Sequence, residues 1–281
     1  MDFAPTGIRH PLSDTLTVAF RRGRRIVAAT GIVGALVFTS ACSASEASTT
    51  ANTSNPSSSA SKTSAPSAAP TVTFPFTLPN GMIAKGVAND GKGDYLQTSI
   101  ADTDPAMKYN PAITDDAAKA HYSETDLAEA QKVIVRFIAE EAIDSTINGG
   151  TDVDGWWAAH KDEIHPLNQV MLQDLKSKDD LLARERWIAD RPGYSYVHGA
   201  STTRVTERTI TPTKLRYVES SNLQGVMLDT NASWSMAVTG GTHGNVQNTT
   251  ATISFAVAKD PADGNKWKIA GYNANYNTAE G

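Results

Sequence analysis

Between Ser123 and Asn148 the apolar residues recur three and four positions apart. Leu127, Ala130, Ile134, Phe137 and Ile138 fall on that spacing, Glu141 shares it, and Val133 and Ala142 broaden the stripe. This period gathers side chains on one face of an α-helix. Ser123 stands where a hydroxyl caps the first turn, Glu124 and Asp126 put negative charge at the positive end of the helix, and Asn148-Gly149-Gly150 ends the run. The pattern predicts a helix of some 24 residues laid against a core. A second helical stretch opens at Thr151, with Asp152 and Asp154 near its start and Trp156-Trp157 in its body. Pro166 interrupts it, and residues 167–190 resume the helical pattern as far as Arg191-Pro192-Gly193.

Beyond that point the period falls to two. "TRVTERTI", "KLRYVESS", "LQGVMLDTNASWSMAVT", "TTATISFAVAKD" and "KWKIAGYNANYN" are five runs rich in β-branched and aromatic residues. They are separated by Thr211-Pro212, by Ser221-Asn222, by "GGTHGNVQN" and by "PADGN", of which the last two read as hairpin connections. Val226, Leu228, Trp234, Met236 and Val238 share one face, as do Ile253, Phe255 and Val257, and then Trp267 and Ile269. Consecutive strands with short turns predict an antiparallel sheet with one buried face, covered by the helices, in an α+β class. Residues 71–122, ahead of the long helix, read as an extended arm or a set of short strands, with one helical turn around Asp115 to His121.

The amino-terminal part has a different pattern. From Ile26 to Ala41 run sixteen apolar or small residues, preceded by Arg21, Arg22, Arg24 and Arg25. A membrane span takes about 20 residues, so charged leader, short apolar region and small-residue exit read as an export signal. "TSAC" at Thr39 to Cys42 resembles a bacterial lipobox: Ser40 and Ala41 match the small positions and Cys42 the acylated cysteine, while Thr39 stands where that family has an aliphatic residue. The resemblance implies cleavage after residue 41 and lipid attachment at Cys42, which holds the chain extracytoplasmically on the outer face of the cytoplasmic membrane. An ordinary signal peptide cut near "SACSA" and an uncleaved anchor remain the alternatives. Cys42 is the only cysteine, so no internal disulfide can form. Residues 43–70 are almost all Ser, Thr, Ala, Pro and Asn, with nothing to bury. As a flexible coil they reach roughly 30 Å, a tether for the domain that follows.

Charge narrows the partners. The chain carries 25 Lys+Arg against 30 Asp+Glu, and loss of residues 1–41 leaves it near −8. An acidic, evenly sprinkled domain lacks the basic footprint that nucleic acid or anionic lipid requires, so the membrane is reached through acyl chains alone.

A long helix, shorter helices and then long antiparallel strands closing in "KWKIAGYNANY" resemble, over residues 123–281, the NTF2-like superfamily, a cone of bent sheet wrapped around helices. Domains of that shape are common in actinobacterial lipoproteins. Another α+β sandwich and a cystatin-like fold are the alternatives. The resemblance implies a homodimer through the open sheet face as one assembly, and an interior pocket in which steroid isomerases and scytalone dehydratase use an Asp or a His/Asp pair. On that basis His160 and Asp154 are the candidate acid–base pair, with His165 and His198 as further titratable residues. His160 and His165 are five apart, about 140° around a helix, which is not zinc-protease spacing, so no metal is expected. Trp156, Trp157 and Tyr194 are candidate pocket walls. No phosphate loop, serine elbow or cysteine nucleophile is present, and no cofactor is expected. The sequence points to a lipid-anchored envelope protein binding a partner protein or small apolar ligand without catalysis, with a pocket isomerase or dehydratase as the alternative.

Overall fold

The structure is a computed structural model and describes residues 78, 81–149, 152–169, 193–220, 223–240 and 245–280. The leader, Cys42, the tether and most of the predicted helix after Pro166 lie outside the described residues.

The fold is mixed α+β, dominated by an antiparallel sheet curled into a half-barrel. Four long strands make most of it: β5 (Val205–Ser220), β6 (Leu223–Thr239), β7 (Val246–Asp260) and β8 (Lys266–Glu280), paired in sequence order. The two-residue β3 (Ser195–Tyr196) pairs with the end of β6. A smaller sheet holds β1 (Met82–Asn89) antiparallel to β2 (Asp94–Ile100), which lies parallel to β4 (Gly199–Thr203). Residues 82–89 and 94–100 are therefore strands, and β2 is buried along nearly its whole length.

Strands of 15 to 17 residues accumulate right-handed twist, and bulges add to it. One bulge falls at Pro212/Lys214. The sequence reads Thr211-Pro212 as a break between two strands; the structure carries one strand straight through it. Pro212 lacks only the ladder donor, which a bulged strand at the edge of the paired sheet tolerates. The buried face is the one predicted: Val226, Leu228, Trp234, Met236 and Val238 alternate inward, as do Ile253, Phe255 and Val257, and Trp267 with Ile269.

The helices are α1 (Asp116–His121), α2 (Glu124–Phe137) and α3 (Val153–His160). Helix α2 begins where expected, with Ser123 Oγ accepting from Asp126 N at 3.1 Å. It lies across the concave face, Phe137 meeting Phe255 edge-on at 5.3 Å between ring centres. The predicted 24-residue helix is shorter, because at Ile138 the backbone widens into a π turn that ends at Ile143. Side chains from other elements take the carbonyls that this turn leaves over. Gln97 Nε2 donates to Glu140 O and Asp144 O, Arg208 Nη1 to Ala139 O, and Asn148 Nδ2 to Ala142 O and Ile143 O. These donors satisfy what would be orphaned acceptors at a buried helix end. No helix among the described residues is long and apolar enough to cross a membrane.

Candidate functional site

The π turn carries two adjacent glutamates, Glu140 and Glu141. Glu141 is buried. Lys85 Nζ, reaching in from β1, donates to its Oε1 at 2.7 Å, and Trp156 Nε1, from α3, donates to its Oε2 at 2.7 Å. His160, one helical turn after Trp156, stacks on that indole at 4.9 Å and brings Nε2 to 3.5 Å from Glu141 Oε2. Its Nδ1 lies 3.1 Å from Glu163 Oε1 in the 3-10 turn that follows α3. Glu140 pairs with the same Lys85 at 2.7 Å and accepts from Ser99 Oγ.

These neighbours set the protonation states. Burial disfavours the Lys85 ammonium, but the charge of Glu141 and the hydrogen bonds to both glutamates outweigh it and hold its pKa above the lysine norm. Burial likewise pulls His160 down, and the Glu163 hydrogen bond with the charges of Glu141 and Glu163 more than offsets this, leaving its pKa raised. His160 is thus held between two carboxylates that favour its protonated form.

A cleft of about 410 Å³ opens beside this cluster. Its floor is Val133, Phe137, Trp267 and Ile269; Arg136, Glu140, Asp162 and Glu163 line one side, and Asp263, Lys266 and Lys268 the other. The opposite wall is internally neutralised, since Lys266 meets Asp263 at 2.9 Å and Lys268 meets Asp260 and Asp263 at 2.9 and 3.1 Å. A trough of about 500 Å³ also lies on the sheet, lined by small polar side chains such as Thr209, Ser233, Thr250 and Asn277. Its lining carries no acid, base or histidine and only small apolar groups at its base, Ala232 and Ala251, so the cleft is the better candidate although the trough is larger.

Of the residues expected to act together, the structure unites His160 and Trp156 on Glu141. Asp154 is exposed in the first turn of α3, and His160 takes its carboxylates from Glu141 and Glu163. Trp157 is half-buried and packs against the core. Tyr194 donates its hydroxyl to the Glu280 carboxylate at the far end of β8. His165 is buried, its backbone N–H bonded to Ile269 O at 2.8 Å. His198 belongs to a second, interior network.

That network is centred on Arg204, which has no exposed surface. Its guanidinium lies 3.5 Å from the centre of the Tyr95 ring and pairs with Asp90 at 3.1 Å and Asp144 at 3.5 Å, while Nη2 donates to Ser145 O at 2.9 Å. His198 Nε2 faces both oxygens of Asp90 at 3.1 and 3.0 Å. Gly93 lets that imidazole approach, since a Cβ there would sit 2.7 Å from its ring. Burial pushes the Asp144 carboxyl up, against the pull of Arg204 and two hydrogen bonds from Thr98. The network ties the β1–β2 hairpin to the end of the π turn and is structural.

Sequence reasoning missed Lys85, Glu140 and Glu163. The one signal was Glu141 itself, a carboxylate falling on an otherwise apolar helical stripe. Among the described residues no group of three or more His, Cys, Asp or Glu is placed to hold a metal ion. Fold and site together define an α+β half-barrel with a lateral, apolar-floored cleft. Compared with known proteins, the chain matches no family, no curated protein and no solved structure.

Proposed function

We propose that this chain is a lipid-anchored, extracytoplasmic binding protein. Cys42 carries the acyl chains, residues 43–70 form the tether, and the α+β domain holds a small ligand with an apolar body in its lateral cleft, without catalysis. The supporting observation is where space is left. The concave side of the sheet is filled by Phe137, Trp234, Met236 and Phe255, whereas the cleft beside α2 offers an apolar floor between charged walls. The order α2, α3, then the meander β5 to β8 around α2 favours the NTF2-like reading of the domain. Partner-protein binding and a homodimer through the open sheet face remain part of the same proposal. Cys42→Ala, or globomycin treatment, is expected to block processing and release the protein from the membrane fraction. Unaltered processing and retention would remove the anchoring half of the proposal. Indole fluorescence of the full-length Cys42→Ala protein, titrated with a set of apolar ligands, tests the binding half, and a flat response across the set would remove it.

One observation favours an enzymatic reading of the isomerase or dehydratase type. His160, between Glu141 and Glu163 at the edge of the cleft, is arranged as a proton carrier. In that case His160→Ala abolishes turnover while leaving ligand affinity within a few-fold.

A further inference from the structure

We infer that His160 is a protonation-controlled latch on one side of the cleft: the cationic ring holds Glu163 in place, and the neutral ring releases it. The inference rests on the reading of the cleft as a ligand site and adds how that site is regulated, while the latch itself can be measured without a ligand.

Both ring nitrogens of His160 face carboxylate oxygens, Nδ1 at 3.1 Å from Glu163 Oε1 and Nε2 at 3.5 Å from Glu141 Oε2. Only the doubly protonated ring presents an N–H to each; a neutral imidazole has one proton and must turn a lone pair toward one of the two carboxylates. They differ in their freedom to yield. Glu141 is 2 % exposed and fixed by Lys85 Nζ and Trp156 Nε1, so the remaining proton stays on the Nε2 side, where a buried charge needs it. Glu163 is 52 % exposed, on a three-residue turn with no buried residue and no side-chain cap, so it is the one that leaves. The ring itself stays, stacked on Trp156. The other charges nearby do not replace it: Lys85, from β1, is shared between Glu140 and Glu141 of the π turn, and Lys161 and Asp162 stand exposed on the same turn as Glu163. Glu163 lines the cleft beside Asp162, so its release loosens that side and leaves a bound ligand less enclosed. Histidine is the side chain whose charge changes near neutral pH. Burial opposes the charged ring here, but the Glu163 hydrogen bond and the charges of Glu141 and Glu163 outweigh it, so the latch is closed below a raised pKa and opens as pH rises through it.

The test is amide hydrogen exchange of the full-length Cys42→Ala protein between about pH 5.5 and pH 9, corrected for the intrinsic rate, with the His160 ring signal followed by NMR in the same samples. As His160 loses its proton, exchange at Glu163 and at Ile164, whose N–H donates to Lys161 O at 3.2 Å, is expected to rise about fivefold. Glu163→Gln, at an exposed position, and independently His160→Gln, are expected to remove that rise, and Glu163→Gln to lower the pH at which His160 titrates. Exchange that ignores the protonation of His160, or that rises equally in Glu163→Gln, overturns the latch. Calorimetric titration of the same proteins with the neutral probe 2-phenylethanol reads the consequence: binding about threefold tighter at pH 5.5 than at pH 9, with no such difference in Glu163→Gln. Equal affinity at the two pH values overturns the regulation and leaves the cleft a ligand site. Absence of binding at either pH overturns the ligand site, and exchange then still decides the latch.

Discussion

Replacing Arg204 by methionine removes the guanidinium at the centre of the interior network while keeping a flexible side chain of similar reach. The loss comprises the 3.1 Å pair with Asp90, the 2.9 Å bond to Ser145 O, the 3.5 Å pair with Asp144 and the stacking on Tyr95 at 3.5 Å. Breaking a buried ion pair from one side costs about 3–5 kcal/mol, because the other charge is left buried and uncompensated. Against a total stability of about 5–15 kcal/mol this is a large fraction. At about 2–4 °C per kcal/mol for a chain of this size, it corresponds to a fall in Tm of roughly 6–20 °C. Urea unfolding followed by far-UV circular dichroism reads the change directly as a lower midpoint at constant slope. The double variant Arg204→Met/Asp144→Asn is expected to recover at least about 1 kcal/mol of the loss, since it removes the orphaned charge. Acidification gives a second check. The folded pKa of Asp144 is already raised by burial, so its ionised form is the costly one; that cost is full above the folded pKa and disappears as pH falls below the unfolded value of about 3.9. Without Arg204 that cost grows, so the deficit of the single variant must shrink from pH 7 toward pH 4. A deficit under about 1 kcal/mol at pH 7, or one that widens in acid, would refute the account of Arg204 as the counter-ion of this interior.

Three further outcomes follow from the same structure. His160 has a raised folded pKa, so its contribution is fully present below the unfolded value of about 6.5 and is lost as pH rises through the folded value; His160→Gln should therefore destabilise by about 0.5–1 kcal/mol more at pH 5.5 than at pH 9, and a pH-independent difference in urea midpoint would contradict this. Gly225→Ala drives a methyl group into the Val257 carbonyl on the neighbouring strand, a backbone clash that neither strand can relieve by a rotamer change; a loss of about 1–3 kcal/mol and faster amide exchange along β6 and β7 are expected. Ser123→Ala removes the cap of α2 and should cost about 1 kcal/mol, whereas Ser123→Asp keeps an acceptor and should lie within about 0.5 kcal/mol of the natural chain by thermal melting.

Local pattern carried much of the fold. The cap at Ser123, the stripe from Leu127 to Phe137 and the alternation along β6 to β8 depend on near neighbours in sequence, and each is where periodicity puts it. The departures share one cause, which is that a distant segment decides them. Thr211-Pro212 reads as a boundary by local rules, yet the partner residues on β6 keep the strand continuous around a bulge. The helix after Phe137 reads as regular, yet Gln97, Arg208 and Asn148 supply donors that make the π turn tolerable. The candidate site follows the same division. His160 and Trp156 stand out as residue types at helical spacing, but their partner Glu141 is 15 or more residues away and Lys85 is 56 residues from Glu141.

By itself the sequence determined the inward faces of the long strands, the start of α2 and a net acidic balance. These depend on residue type and spacing along a few turns or one strand. Only the tertiary structure decided which charges are buried and with whom. Arg204 finds Asp90 across 114 positions, and Glu141 sits in the interior because Lys85, Trp156 and His160 arrive from three separate segments. A buried charge is tolerated only when such partners converge, and no local pattern records that convergence.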